Sequence, residues 1–591
     1  MRSILEEQYY AIFEKYNLQE PIDGKRITEV ISASLKEFLK DSQKPAIYCS
    51  GGHTRMLMAD FMFELKHVKH IIDNYAKADD GGFQYLKNGD IEAEGIDAVV
   101  ISTYKFRKDI LQNLREQHPD VPYLDIYEKL EENGIHIESD YYYANHPYHH
   151  YRKINTLRSR LVETSDKNEQ SNIYREIVTK FLHIKDFLNA AKFAKVWNEI
   201  TQDEGTKALI RDIENLYQLE LEAAEKVAAK NVLMLCVDGL RRCDLLGGGM
   251  PKLEKHLREQ AYVYENAYSF STSTFESLIP VYSENGNLQT GYFNQNVIDE
   301  QYCRFIREAK AQNRKMFFYT DMEHYVESPD ICYAGGFQAA SEKMWNLIVD
   351  AVDEKNGLFY VHVLYESHYS FSNPYTTEKL LSEGSAMLFD YLPQKGGKLR
   401  VNYEQQHEDA LQYLDDVLTP IIERLHCGMV LYADHGNLVL PKDCKEEAVP
   451  VTKLTFDEEW IQIPMVVKSP HVGQGVSKKL LSLMSLNDIV MALLKEESYE
   501  MTERSYIKVA RSELYNPDFR FLYKNWGKER CLQAFETFIF SNNRKLAIYA
   551  DGTVELYDGA DDRKIDNSVE MKELLERIRN EITVCEKHIS E

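Results

Sequence analysis

Two stretches of this chain alternate short apolar runs with longer amphipathic ones, and this alternation restricts the fold more than any other feature. The clearest run is Asn231-Val-Leu-Met-Leu-Cys-Val237. Apolar at every position after its first, it has no face to offer water and reads as a strand covered on both sides. Further runs are Lys315 to Thr320, Leu358 to Leu364, Gly428 to Ala433 and Ile463 to Val467, with helical patterns over 251–260, 299–312, 339–352, 402–426 and 486–495. Strands that alternate with helices imply an α/β fold built on a parallel, doubly wound sheet.

An earlier block has the same grammar. After a helical stretch to about residue 43, Ala46-Ile-Tyr-Cys49 is a strand, Ser50-Gly-Gly52 a turn and His53 to Leu65 a helix. Strands at His70 to Asp73, Ala98 to Ser102 and Pro122 to Asp125 follow, with a helix from Phe106 to Gln117. A chain of 591 residues is too long for one hydrophobic core. The expected division is an N-terminal parallel-sheet module over 1–150, a charged helical connector over 151–228, and a larger α/β domain over 229–591. The last of these includes a small C-terminal subdomain, marked by a hairpin with Asp551-Gly552 at its turn and a charged helix from about 568.

Composition narrows the partners. A net charge of −25 repels phosphate backbones, which speaks against nucleic acid and anionic membranes. No stretch approaches the roughly 20 apolar residues of a membrane span, and acids near the N-terminus do not suit a signal peptide. The nine cysteines are scattered, odd in number and without CxxC pairs, so they read as reduced thiols. The expectation is a cytoplasmic protein; whether it forms a homo-oligomer stays open.

In the larger domain, polar residues recur where apolar runs stop. Asp238 follows the first strand, Asp434-His435-Gly436 follows Leu431-Tyr-Ala433, and His368 lies just beyond the Leu358–Leu364 strand. Loops at the carboxyl ends of parallel strands converge there, and two carboxylates with an imidazole make a divalent-metal site. Arg241 follows closely on Asp238, and could neutralise phosphate or simply sit in an ion pair. His362, inside its apolar run, reads as a hydrogen-bonded core histidine. The group His146, His149 and His150 lies among Tyr and Pro residues and reads as a packed loop.

These anchors resemble those of the alkaline phosphatase superfamily, in its sulfatase-like branch of phosphoethanolamine and glycerol-phosphate transferases. The similar segments are Val237-Asp-Gly-Leu-Arg-Arg-Cys-Asp244, the Ser/Thr-rich Phe270-Ser-Thr-Ser-Thr-Phe-Glu-Ser277, His368 within His362 to Ser370, and Ala433-Asp-His-Gly436. Weaker likenesses are Glu458 to Pro470 and Val554-Glu-Leu-Tyr-Asp558, so the resemblance runs over about 230 to 585. It implies zinc or manganese held by Asp238, Asp434 and His435, with Thr272 as both nucleophile and ligand. Thr274 and Ser271 stand as alternatives by a shift of register. His368 would sit by the leaving group. The implied activity is a phosphotransferase or phosphodiesterase that takes a phosphodiester donor and modifies a glycan, its activated precursor or a small-molecule acceptor with a phospho-alcohol group. The alternatives are a phosphomonoester or sulfate-ester hydrolase, and a catalytically silent nucleotide-sensing scaffold.

Three departures bear on this. The Cys/Ser-x-Pro-x-Arg sequence of ordinary sulfatases is absent, the next histidine after His435 is His471, and the membrane helices of the transferases are missing. The N-terminal module resembles the Rossmann-like units at the front of sugar- and cell-surface-modifying enzymes. That likeness assigns phosphate to Gly51 and Gly52 and a ribose hydroxyl to Asp73. The full GxGxxG is missing, and docking or dimerisation is the other reading.

Overall fold

The computed structural model describes residues 1–21, 24–74, 83–137, 147–285, 297–321, 325–334, 337–368, 371–376, 403–439, 449–499, 501, 504–514, 520, 523–559 and 563–589. Its first sheet comprises β1 Pro45–Tyr48, β2 His70–Ile72, β3 Gln84–Leu86, β4 Ala98–Ile101 and β5 Tyr123–Asp125. The order is β3-β2-β1-β4-β5 with every pairing parallel. Strands β1, β2 and β4 are buried at every position, as apolar runs without a polar face require. β3 escapes the sequence pattern because Gln84-Tyr-Leu86 is short and half polar. The helix expected over 53–65 is broken at Phe61 into Gly52–Asp60 and Met62–Leu65.

The larger unit is built from β6 Val232–Val237, β7 Tyr262–Tyr268, β8 Ile298–Asp299, β9 Lys315–Tyr319, β10 Val326–Glu327, β11 Ile331–Tyr333, β12 Gly357–Val363, β13 Gly428–Tyr432, β14 Gln462–Lys468, β15 Gly475–Ser477 and β16 Leu481–Ser482. Nine of these form one sheet, ordered β11-β9-β12-β6-β13-β14-β7-β15, with β16 on β7; β8 and β10 pair separately. The sheet is mixed rather than wholly parallel: β14 runs antiparallel to both β13 and β7. The described part of the connection from β13 to β14 carries only a 3-10 turn and the four-residue helix Glu458–Ile461. That is no crossover of the kind a parallel pairing needs.

A third sheet, all antiparallel, orders β17 Tyr506–Arg511, β18 Phe535–Phe540, β19 Arg544–Tyr549, β20 Val554–Asp558 and β21 Lys564–Ile565 in sequence. The expected hairpin is β19–β20, closed by Ile548 opposite Val554, with Gly552 at φ +82° in the left-handed region glycine tolerates. Leu574 and Ile578 of the helix Ser568–Ile589 cover Phe538, Phe540, Leu546 and Leu556 on one face.

The helices Pro147–Glu163, Lys167–His183, Phe187–Thr201 and Glu204–Glu225 share the core of the nine-stranded unit. The first helix, Arg2–Tyr16, joins the same core through Leu5, Tyr9, Ile12 and Phe13. Tyr9 donates to the Leu182 carbonyl at 3.0 Å and its ring lies 5.9 Å from that of Trp345. The helix that opens the chain therefore shares the larger unit's core, while the five-stranded sheet follows it in sequence.

Asp186 caps the helix Phe187–Thr201, accepting from the Asn189 amide N–H at 3.0 Å, and burial pushes its carboxyl up to about 6. A folded-state value about two units above the unfolded one costs stability as pH rises from about 4 to about 6, in all on the order of 3 kcal/mol. Asp186→Asn keeps a capping oxygen without the charge. It is expected to raise thermal stability at pH 8, with the gain vanishing near pH 4.

Candidate metal centre

Strands β12, β6 and β13 run parallel and in register, with Val363 opposite Val237 and Tyr432 opposite Cys236. The residues that follow them therefore leave the sheet at one edge. Asp238 comes directly after β6, and its N–H donates to the Val363 carbonyl at 2.9 Å. Asp434 lies two residues past β13, and its Oδ1 accepts from the Gly239 N–H at 3.1 Å. His368 stands five residues past β12. Both carboxylates are fully buried.

Thr274 opens the helix Thr274–Ser283 and completes the group. Its Oγ1 donates to Asp238 Oδ2 at 3.1 Å and lies 3.3 Å from His435 Nε2. His435 Nε2 is in turn 3.3 Å from Asp434 Oδ2 and 3.7 Å from Asp238 Oδ1. The other ring nitrogen, Nδ1, contacts the Gly436 carbonyl at 2.6 Å, so it carries a proton, and Nε2 is the nitrogen that faces the carboxylates. His368 Nε2 completes the rim at 4.0 Å from Asp238 Oδ1.

Two observations fit this group to a divalent cation. Asp238 Oδ1 and Asp434 Oδ2 are buried without a hydrogen-bond partner, an expensive state for carboxylate oxygens unless something positive sits between them. A tetrahedral metal with bonds of about 2.0–2.1 Å also spaces its ligand atoms about 3.3 Å apart. The separations of 3.3 Å from His435 Nε2 to both Thr274 Oγ1 and Asp434 Oδ2 match that spacing. Burial opposes ionisation of Asp238, yet the imidazoles of His368, His362 and His435 outweigh it and hold the carboxyl below its usual range. Burial likewise opposes a charge on His435, and Asp434 and Asp238 overcome it, raising the imidazole.

Of the hydroxyls in the Ser/Thr turn, the one at the cluster is Thr274, the register alternative, and not Thr272. Thr272 is buried, and no hydrogen bond joins its side chain to the cluster among the described residues. Ser271 is occupied with the turn itself: its Oγ donates to Glu276 at 2.9 Å and its N–H to Ser277 Oγ at 3.0 Å. Arg241 is taken up by ion pairs, through Nε and Nη2 with Asp244 and through Nη1 with Glu459 at 3.4 Å. Its geometry favours the ion-pair reading. His471 is exposed in the loop after β14, and no described contact places it at this cluster.

The sequence understated His362. It is a buried core histidine, as expected, but its Nε2 lies 3.1 Å from Asp238 Oδ2 and its Nδ1 3.1 Å from the Tyr325 hydroxyl. Only its place one strand over from Asp238, opposite Cys236, could have hinted at this. Asn437 was missed entirely. Fully buried, it donates to the Gly239 carbonyl at 2.9 Å and the Ser367 carbonyl at 2.7 Å, tying three loops of the site together. Gly239 sits at φ +66°, where an added Cβ would lie 2.1 Å from Asn437 Nδ2. Gly239→Ala is expected to cost about 1–3 kcal/mol from the backbone alone, with the Asn437 bonds lost besides. A lowered urea midpoint would register it.

At the smaller sheet, Gly51 caps the helix after β1 and Gly52 is its first residue, and an added Cβ at Gly51 would meet nothing within 4 Å. Asp73 follows β2, and its carboxylate accepts from the Ser50 N–H at 3.1 Å and from the Ser50 hydroxyl. His146 lies outside the described residues, whereas the His150 ring packs 5.8 Å from that of His183. Among the described residues no helix is long and apolar enough to cross a membrane.

No family model matches the chain, and no curated protein matches it. Among solved structures, it is similar to a putative sulfatase from Bacteroides thetaiotaomicron, at 11% identity and a TM-score of 0.40, over 60% of this chain and 91% of that one. It is similar to the phosphonate monoester hydrolase of Agrobacterium radiobacter at 10% identity and a TM-score of 0.39, over 61% and 96%. A third is the lipoteichoic acid synthase LtaP from Listeria monocytogenes, at 11% identity and a TM-score of 0.38, over 63% and 98%.

Proposed function

We propose that this chain is a metal-dependent enzyme acting on phosphate esters through a covalent intermediate on Thr274. The reading is carried by His435 Nε2, which stands 3.3 Å from both Thr274 Oγ1 and Asp434 Oδ2 and 3.7 Å from Asp238 Oδ1, beside two carboxylate oxygens without a hydrogen-bond partner. Asp238, Asp434 and His435 would hold the ion, and a set of two carboxylates, an imidazole and a hydroxyl suits zinc or manganese. When bound, such an ion lowers the pKa of a coordinated hydroxyl and offsets negative charge on phosphoryl oxygens.

The chain's own groups do the rest. Thr274 Oγ1 attacks phosphorus as the alkoxide, its proton lost to solvent before the step and not regained while the cycle runs; a bond from that oxygen to phosphorus forms, and the bond to the leaving alcohol breaks. His368, at the rim with its side chain 29% exposed, gives the departing oxygen its proton. The N-terminus of the helix Thr274–Ser283 faces the same region, and its N–H groups favour the charge on the phosphoryl oxygens. In the second half an acceptor hydroxyl or water gives its proton to His368 and attacks phosphorus, and the Thr274 oxygen leaves. A hydroxyl acceptor makes the enzyme a transferase of a phospho-alcohol group, and water makes it a diesterase. A glycan acceptor is an expectation from resemblance alone.

The test is turnover of chromogenic phosphodiester, phosphomonoester and sulfate-ester substrates with zinc or manganese, against chelator-treated protein. Metal-dependent release from the diester is the expected result. Dominant release from the monoester or sulfate ester would replace the diester reading, and equal rates with and without chelator would end the metal reading. For the smaller sheet we carry forward a phosphate-bearing nucleotide at Gly51 and Gly52, supported by the strand order and the open turn. The bonds of Asp73 to Ser50 narrow what it offers a ribose.

A further inference from the structure

Among its contacts with the larger unit, the C-terminal antiparallel sheet meets the turn that delivers Thr274. Phe270 accepts from the Ala510 N–H at 2.8 Å, so the end of β17 is hydrogen-bonded to the turn's backbone. Two residues on, the Ser512 N–H lies 3.3 Å from each carboxylate oxygen of Glu276, and the Ser512 hydroxyl donates to Glu276 Oε1. The other oxygen, Oε2, accepts from Ser271 Oγ at 2.9 Å. Glu276 lies in the first turn of the helix that Thr274 opens. Its carboxylate thus bridges a serine of the nucleophile turn and a serine of a separate sheet.

The apolar packing behind it is continuous. Tyr268, the last residue of β7, shares a cluster with Ile507, Val509 and Phe535 of the C-terminal sheet, and with Leu438, three residues past His435. Arg511, between Ala510 and Ser512, is anchored by the Leu454 carbonyl at 3.3 Å and by the Cys531 carbonyl. Strand β17 is therefore held firmly where it meets the turn.

We infer that the C-terminal sheet is part of the catalytic unit, with Glu276 and Ser512 as positioning residues that fix the Ser271–Thr274 turn and so the direction of the Thr274 hydroxyl. The inference rests on the reading of Thr274 as the metal-facing nucleophile. A mobile turn would leave Thr274 in place on average but spread its hydroxyl over several ångströms, and reacting groups tolerate little misplacement.

The test uses the full chain with Ser512→Ala and Glu276→Ala, and with Ser512→Thr and Glu276→Gln as conservative partners. Amide exchange over peptides covering 269–275 in metal-free protein is expected to run about tenfold faster in the alanine variants. The β6 and β13 peptides should be unchanged, and Ser512→Thr should restore the wild-type rate. In Co²⁺-loaded protein, the visible d–d bands of the alanine variants should move as they do in Thr274→Ala, and return in Ser512→Thr. Wild-type exchange at 269–275 in both alanine variants would overturn the inference. So would loosening spread over the whole C-terminal sheet or left unrescued by threonine, since Glu276 would then be only a fold residue. Failure of wild type to bind Co²⁺ would sink the metal reading instead, with the exchange result still deciding the positioning.

Discussion

Thr274→Ala is expected to lower kcat on the preferred chromogenic ester by at least about a thousandfold, because loss of a nucleophile leaves only binding and electrostatic stabilisation. Thr272→Ala, two residues away, should stay within about twofold. Thr274 Oγ1 stands 3.1 Å from Asp238 and 3.3 Å from His435, whereas the Thr272 side chain makes no hydrogen bond to either. Steady-state rates of the two variants, measured side by side, decide the register. Mass spectrometry of acid-quenched enzyme should find the phospho-adduct on the peptide containing Thr274 in wild type and in Thr272→Ala, and not in Thr274→Ala. A thousandfold loss in Thr272→Ala with Thr274→Ala near wild type would reverse the assignment.

Metal should reorder the stabilities of wild type and Asp434→Asn. Asp238 Oδ1 and Asp434 Oδ2 are buried, close to one imidazole and without hydrogen-bond partners. Removing one of the two charges relieves that arrangement in the metal-free protein, so Asp434→Asn is expected to unfold at least as high as wild type in chelator. Zinc or manganese at a hundred times its Kd should add about 2.7 kcal/mol to wild type. The variant, its metal affinity reduced at least about a hundredfold, should gain little. The two proteins should therefore exchange rank between chelator and metal in thermal unfolding, with calorimetric titration supplying the affinities. An equal metal-induced shift in both would show that Asp434 is not a ligand.

Much of this was legible because buried parallel strands leave a plain signature. Val232 to Val237 is apolar throughout and Gly428 to Ala433 carries no charge, and residues after strands of one parallel sheet must meet at one edge. Asp238, Asp434, His435 and His368 could thus be gathered from positions 197 residues apart at the extremes. The register of the Ser/Thr turn was not legible. Ser271, Thr272, Ser273 and Thr274 all carry hydroxyls, and only the turn geometry, with Ser271 bonded to Glu276, shows which one opens the helix. Asn437 was invisible for another reason: its role is to hold the carbonyls of Gly239 and Ser367, and a carbonyl leaves no mark on a sequence. The antiparallel course of β14 was hidden because an apolar run has no arrow.

The first helix has a consequence for how the molecule comes to be assembled. Tyr9 rests on Leu182, Phe187 and Trp345. At a ribosomal pace of about 5–20 residues per second, Trp345 emerges roughly 20–70 s after Tyr9. Until then the groove lacks its Trp345 wall, although Leu182 and Phe187 have already emerged, and Leu5, Ile12 and Phe13 stay partly open to whatever binds nascent apolar segments. The parallel sheet synthesised in the interval has its own two apolar layers and can close without the helix. Assembly would then run from the inside of the sequence outward. A fragment starting near residue 229 would emerge with an open trough where the helix belongs, and co-expression of residues 1–228 as a separate chain should be needed to fill it.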